Sequence, residues 1–209
     1  MDAQKLQLKI FVVPASARAI EPESLIPVFH RWIKERLLPE LLVDVANYLH
    51  VPRGPGVVLI GHGSDYFMDH GEGRLGLLHN RKRAGVPAAD RLADLARRAL
   101  YAASLLEREP ALGDKLRFAT NELLFRINDR LAAPNDDATW ARYKPEIESL
   151  AERVFAGHFE LTRSGGPKEL FAVRVTTSGS APLGALLDRV GGPPGPDASL
   201  APAERARHG

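Results

Sequence analysis

Residues 54–78 read GPGVVLIGHGSDYFMDHGEGRLGLL, and the choice between a sheet and a metal or catalytic centre turns on them. Val58, Ile60, His62, Ser64, Tyr66 and Met68 occupy even positions, and Val57, Leu59, Gly61, Gly63, Asp65 and Phe67 odd ones. That alternation predicts one long strand over 57–69, a turn at HGEG and a further strand over 74–83. On an unbroken strand His62 and Asp65 project to opposite faces. They converge only if Gly61–Gly63 forms a bulge, which strand glycines allow.

Working outward, LLVDVANYLHV (41–51) alternates in the same way. Leu41, Val43, Val45, Leu49 and Val51 share one set of positions, and Asp44, Tyr48 and His50 the other. The turn PRGPG joins it to the strand at 57, so three runs form an antiparallel meander. KLQLKIFVV (5–13) reads as a half-buried strand. Leu25, Val28, Phe29, Trp32, Ile33 and Leu37 recur at helical spacing and predict a helix over 24–38. Leucines 92, 95, 100, 105 and 106 do the same for 88–109. Trp140, Tyr143, Ile147, Leu150 and Val154 mark a helix over 138–155, with Pro145 inside it as a start or kink. Segment 115–130 satisfies both periods, and the alternation of Leu123, Phe125 and Ile127 favours strand. Phe159 and Leu161, a Ser-Gly-Gly-Pro turn, and Phe171, Val173 and Val175 predict a hairpin.

The element order is therefore β-α-β-β-β, a long helix, then β-α-β-β. The expected class is α+β: a mainly antiparallel sheet with helices on one side. Two βαββ-like halves, 1–86 and 114–178, are joined by helix 88–109. Residues 1–178 are expected to form one domain. The Gly, Pro and Ala-rich stretch 179–209 reads as a flexible tail with a short helix at 181–190.

Composition narrows the function classes. The chain has 209 residues, 26% of them charged, and a formal net charge of only +2. Its densest basic cluster is Arg81, Lys82 and Arg83, so no nucleic-acid partner is expected. It has no cysteine, which excludes disulfides, thiolate metal sites and thiol nucleophiles. No run approaches the roughly 18 apolar residues that span a bilayer, so a cytoplasmic protein with no membrane partner is expected.

Two sets of site residues stand out. A metal site on the meander would draw on His62, Asp65, Asp69 and His70, with Glu72 nearby, but their spacing matches no established ligand motif. Ser64 beside His62 is not the G-x-S-x-G elbow, and no helix follows it. The other set is Asp44, Tyr48, His50, His62 and Tyr66, which would share a sheet face if the 41–51 strand pairs with the 57–69 strand. They would then line a ligand groove.

No catalytic residue and no cofactor is assigned. The expected function is a non-enzymatic binding or assembly module that forms a homo-oligomer or takes a protein partner, with a small-molecule ligand also open. The segment PLGALLDRV would dock into a partner's groove. The alternative is a metal-assisted or acid–base hydrolase with its site at 54–78.

Overall fold

Leu6, Leu8, Ile10 and Val12 of strand β1 (Leu6–Val12) bury one face of the central strand, while Gln7, Lys9 and Phe11 point the other way. The computed structural model describes residues 1–83 and 86–195. After β1 the chain forms α1 (Pro14–Ala19), α2 (Leu25–Glu35) and a four-stranded meander. The meander comprises β2 (Leu42–Asn47), β3 (Val57–Gly61), β4 (Ser64–Asp69) and β5 (Gly76–Arg81). The long helix α3 (Arg91–Glu107) follows. Then come β6 (Phe118–Ile127), α4 (Asp137–Phe155), β7 (Glu160–Ser164), β8 (Phe171–Thr176) and α5 (Leu183–Arg189).

All eight strands lie in one antiparallel sheet, ordered β2-β3-β4-β5-β1-β6-β8-β7. The first strand of each half, β1 or β6, sits at the centre, and the last strand of that half returns beside it. The halves thus share a winding, although the first carries an extra hairpin. The helices pack their apolar stripes on one face of the sheet: Leu25, Val28, Phe29 and Trp32 from α2, Leu95, Ala99 and Leu106 from α3, and Ile147 and Val154 from α4. Burying a side chain of that size contributes roughly 1.5–3 kcal/mol. The opposite face buries far less: a small apolar cluster of Phe11, Leu124 and Ala172, with Val58 and Leu78 further along the same face. The class is α+β, as the periodicities predict, and segment 118–127 is strand.

The opening stretch differs from expectation. Residues 57–69 are not one strand but a hairpin, β3 and β4, reversing at His62–Gly63 with Ile60 paired to Asp65. The core-facing set switches at the reversal from odd positions (Val57, Leu59) to even ones (Tyr66, Met68), and because Val58, Ile60 and Phe67 on the other face are apolar too, the sequence pattern hides the switch. The buried Glu40, just before β2, receives the Ser64 N–H at 3.0 Å. A Cβ on Gly61 would lie 2.7 Å from that carboxylate and 2.6 Å from the Ser64 carbonyl. Gly61 is therefore glycine because a buried carboxylate closes on the hairpin.

Three helices also differ in detail. Helix α2 stops at Arg36, in the left-handed region at φ 53°, rather than at Pro39. Helix α4 starts at Asp137, capped by the Asp136 side chain accepting from the Thr139 N–H at 2.8 Å, and runs through Pro145. The short helix expected at 181–190 forms as α5, but it does not project to a partner. Leu183, Leu186, Leu187 and Val190 are buried in the main core of their own chain. Of the expected tail, residues 196–209 lie outside the described residues. Among the described residues no helix is long and apolar enough to cross a membrane.

Candidate functional site

The strand register fixes which side chains share the helix-free face. One cross-strand row runs Asn80–Gln7–Arg126–Ala172–Ser164, and the next runs Leu78–Lys9–Leu124–Arg174–Thr162. Each of the three adjacent strands β1, β6 and β8 therefore contributes one basic residue to the same patch. Helices cover the other face only, so these cations are satisfied within the sheet surface or by solvent.

The ion pairs are extensive. Lys9, whose side chain is wholly buried, pairs with Asp69, donates to the Gly71 carbonyl at 2.7 Å and lies 3.4 Å from Glu72 Oε2. Burial pushes the Lys9 ammonium below its ordinary pKa, partly offset by Asp69. Arg126 pairs with Glu72. Glu122 bridges Arg74, at 2.6 Å, and Arg174. Phe11 lies beneath three of these cations, with the Arg74 guanidinium 4.2 Å from its ring centroid, Arg174 5.2 Å and the Lys9 ammonium 5.4 Å.

Two backbone features hold this arrangement. Glu72 sits in the turn 71–73 at φ 58°, a left-handed conformation that a non-glycine residue adopts at a cost of about 1 kcal/mol. From there its carboxylate faces both Lys9 and Arg126. Gly76 leaves room for the Lys9 stem to cross β5; a Cβ there would lie 2.6 Å from Lys9 Cε.

Beside the network is an open cavity of about 440 Å3. Its floor is apolar, from Leu124, Leu170 and Ala172, and Arg126, Arg174, Glu72 and Glu169 rim it. A cavity of this size is in the range of small-molecule sites. Burial lowers the pKa of both guanidinium groups, and neighbouring Arg74 adds to the effect at Arg174. Both remain cationic at any ordinary pH.

A second polar cluster is sealed under α3 on the covered face. Tyr66 is fully buried and donates its hydroxyl to Glu40 at 2.7 Å. Burial, then the Glu40 carboxylate, raises the phenol well above its ordinary pKa. The His79 ring stacks on Tyr66 with centroids 4.8 Å apart. Among the described residues neither His79 nitrogen has a hydrogen-bond partner. Burial, reinforced by Arg98 and Arg81, pushes the His79 pKa down to about 3, so the ring is neutral at physiological pH. Asp94 takes Arg81 at 2.8 Å and Arg98 at 3.0 Å. Burial opposes ionisation of Asp94, but these guanidinium groups outweigh it and hold its carboxyl below the usual range.

The sequence-derived candidates disperse. Asp44 is on the helix-free face, in a row with Ile60 and Asp65, and its carboxylate accepts the Val45 N–H at 2.8 Å. Tyr66 is on the covered face, paired with His79. Tyr48 and His50 are exposed in the turn after β2, whereas His62 is exposed at the opposite end of β3 with Arg83 Nη1 at 2.8 Å from its ring. Asp65 pairs with Lys82 at 2.6 Å, Asp69 with Lys9, and His70 is exposed in the loop after β4. Among the described residues no three His, Asp or Glu side chains form a group able to hold a metal ion. The residues that do converge, Lys9, Arg74, Arg126, Arg174, Glu72 and Glu122, carry a faint sequence signal. LKIF, FRIN and VRVT each set one basic residue inside an apolar strand. Comparison of the chain with protein-family models, curated proteins and solved structures gives no match.

Proposed function

We propose that the protein is a non-enzymatic binding module whose small-molecule ligand occupies the helix-free face of the sheet. The observation behind this reading is the 440 Å3 cavity, with an apolar floor and a rim of fixed guanidinium and carboxylate groups. Ionic partners that hold the rim side chains in place reduce the entropy lost when a ligand binds. A protein-observed NMR screen with fragment-sized organic molecules tests it. Binding fragments are expected to shift the Leu124, Ser164 and Ala172 amides saturably. Fragments that shift only other regions, or none at all, would refute this site.

A second reading, self-association, rests on a different surface. Of the five large apolar residues exposed among those described, Leu41, Val43, Tyr48 and Val51 lie on edge strand β2 or beside it. Leu41 is 53% exposed and Val43 59%. The opposite edge, β7, carries Glu160 and Arg163, a common protection against pairing. Asp44 already caps the outward Val45 N–H, so side-chain contact with a second copy would dominate over backbone pairing. Sedimentation velocity over a concentration series is expected to show a dimer that Leu41→Glu with Val43→Glu dissociates. A monomer at every concentration would remove this reading.

A further inference from the structure

The geometry points to a ligand class: a small organic acid, with one carboxylate held between Arg126 and Arg174 and an apolar body on Leu124 and Ala172. This rests on the binding reading above and goes beyond it by naming the chemistry. Arg126 and Ala172 are directly paired across β6 and β8, as are Leu124 and Arg174. The two guanidinium-bearing residues are therefore diagonal neighbours, roughly 7–8 Å apart at the backbone. Two apolar side chains occupy the other corners of that square. An anionic head and an apolar body thus find complementary surfaces within a single turn of the sheet pleat.

Each guanidinium keeps donors to spare. Arg126 pairs through Nη2 with Glu72, and Arg174 through Nη1 with Glu122. A guanidinium has five N–H donors, and a carboxylate matches two of them side by side. The existing acid partners serve to aim each fork. Both arginines are partly desolvated, with side chains 14% and 30% exposed, so an added anion is screened less than at an open surface.

The charge balance selects among anions. Lys9, Arg74, Arg126 and Arg174 are matched in number by Asp69, Glu72, Glu122 and the rim residue Glu169. A balanced site has little driving force for a phosphate dianion beside two carboxylates. It suits a monoanion whose affinity comes from directed hydrogen bonds together with apolar contact. The small side chain of Ala172, opposite Arg126, leaves space for that contact.

The test titrates labelled full-length protein with phenylacetate, its neutral isostere phenylacetamide, and inorganic phosphate, following the Leu124, Ser164 and Ala172 amides. Phenylacetate is expected to bind saturably and at least tenfold more tightly than the amide or phosphate. Arg174→Gln should bring phenylacetate down to the affinity of the amide. Ala172→Leu, which fills the floor without altering charge, should abolish binding of both aryl probes while the melting temperature holds. Equal affinity for acid and amide, with the groove amides shifting, would overturn the acid class and leave the binding reading standing. Phosphate binding as tightly as phenylacetate would likewise overturn it. Groove amides that respond to none of the three would overturn both.

Discussion

His79 stands between Leu8 of β1 and Tyr66 of β4, with charged groups on several sides: Arg81 on its own strand, Asp94 and Arg98 from α3, and Glu40 beyond the Tyr66 hydroxyl. Its pKa is about 3 in the folded chain and 6.5 as the ordinary value. Between those values the unfolded chain binds the extra proton, so stability present above about pH 6.5 is lost as pH falls toward 3. At about 1.4 kcal/mol per unit, the loss amounts to a few kcal/mol. His79→Phe keeps the stacked ring and removes two nitrogens without partners. Urea unfolding at pH 7 and pH 4.5 should show the variant at least as stable as wild type at pH 7 and markedly less acid-sensitive. An unchanged drop would assign the acid response elsewhere. The glycines of the neighbouring hairpin divide at the same scale. Gly61→Ala meets the Ser64 carbonyl and the Glu40 carboxylate, and should cost about 1–3 kcal/mol. The nearest atom to a Cβ at Gly63 is Glu40 Oε2 at 3.6 Å, so Gly63→Ala should stay within about 0.5 kcal/mol in the same assay.

At the scale of elements, period-two and period-3.6 patterns carried most of the fold, because a sheet with one covered face writes its burial into alternate residues. Leu123, Phe125 and Ile127 point into the core from β6 while Leu124 and Arg126 do not, which settles the ambiguity of that segment. What alternation could not show is where a strand reverses. GHG looked like a bulge because the decisive partner, Glu40, lies more than 20 residues away in sequence. The site was illegible for a related reason. Lys9, Arg126 and Arg174 become neighbours only through the central β1-β6-β8 pairing, and single-strand patterns carry no information on strand order. Helix α5 makes the same point at the C-terminal end: its composition resembled a loose tail, yet Leu186 is 1% exposed in the core beside α3 and α4. Leu186→Ala should therefore cost about 2–4 kcal/mol in thermal or urea unfolding. A loss below about 0.5 kcal/mol would show that α5 contributes little to the folded domain.

For the whole molecule, the division of labour lies between the two faces of one sheet. The covered face buries leucine and aromatic side chains from strands β1 to β6 and β8 and from helices α2 to α5, which is where apolar stabilisation resides. The bare face instead holds Lys9, fully buried, against Asp69, whose side chain is 12% exposed. An ion pair in that environment gains little net stability, because desolvating two charges offsets most of their attraction. Removing one partner is different, since it strands the other. Asp69→Asn leaves the Lys9 ammonium with the Gly71 carbonyl and Glu72 at 3.4 Å, and should cost about 3 kcal/mol. The double variant Lys9→Met with Asp69→Leu removes both charges and retains apolar volume above Phe11. It should unfold within about 1 kcal/mol of wild type. Chemical denaturation of wild type, the single and the double variant separates the alternatives. If the double variant is as unstable as Asp69→Asn, the pair itself stabilises the sheet and the bare face is structural at its centre. If stability returns, the fold does not need these charges, and their presence on the helix-free face beside the cavity calls for a role in what binds there.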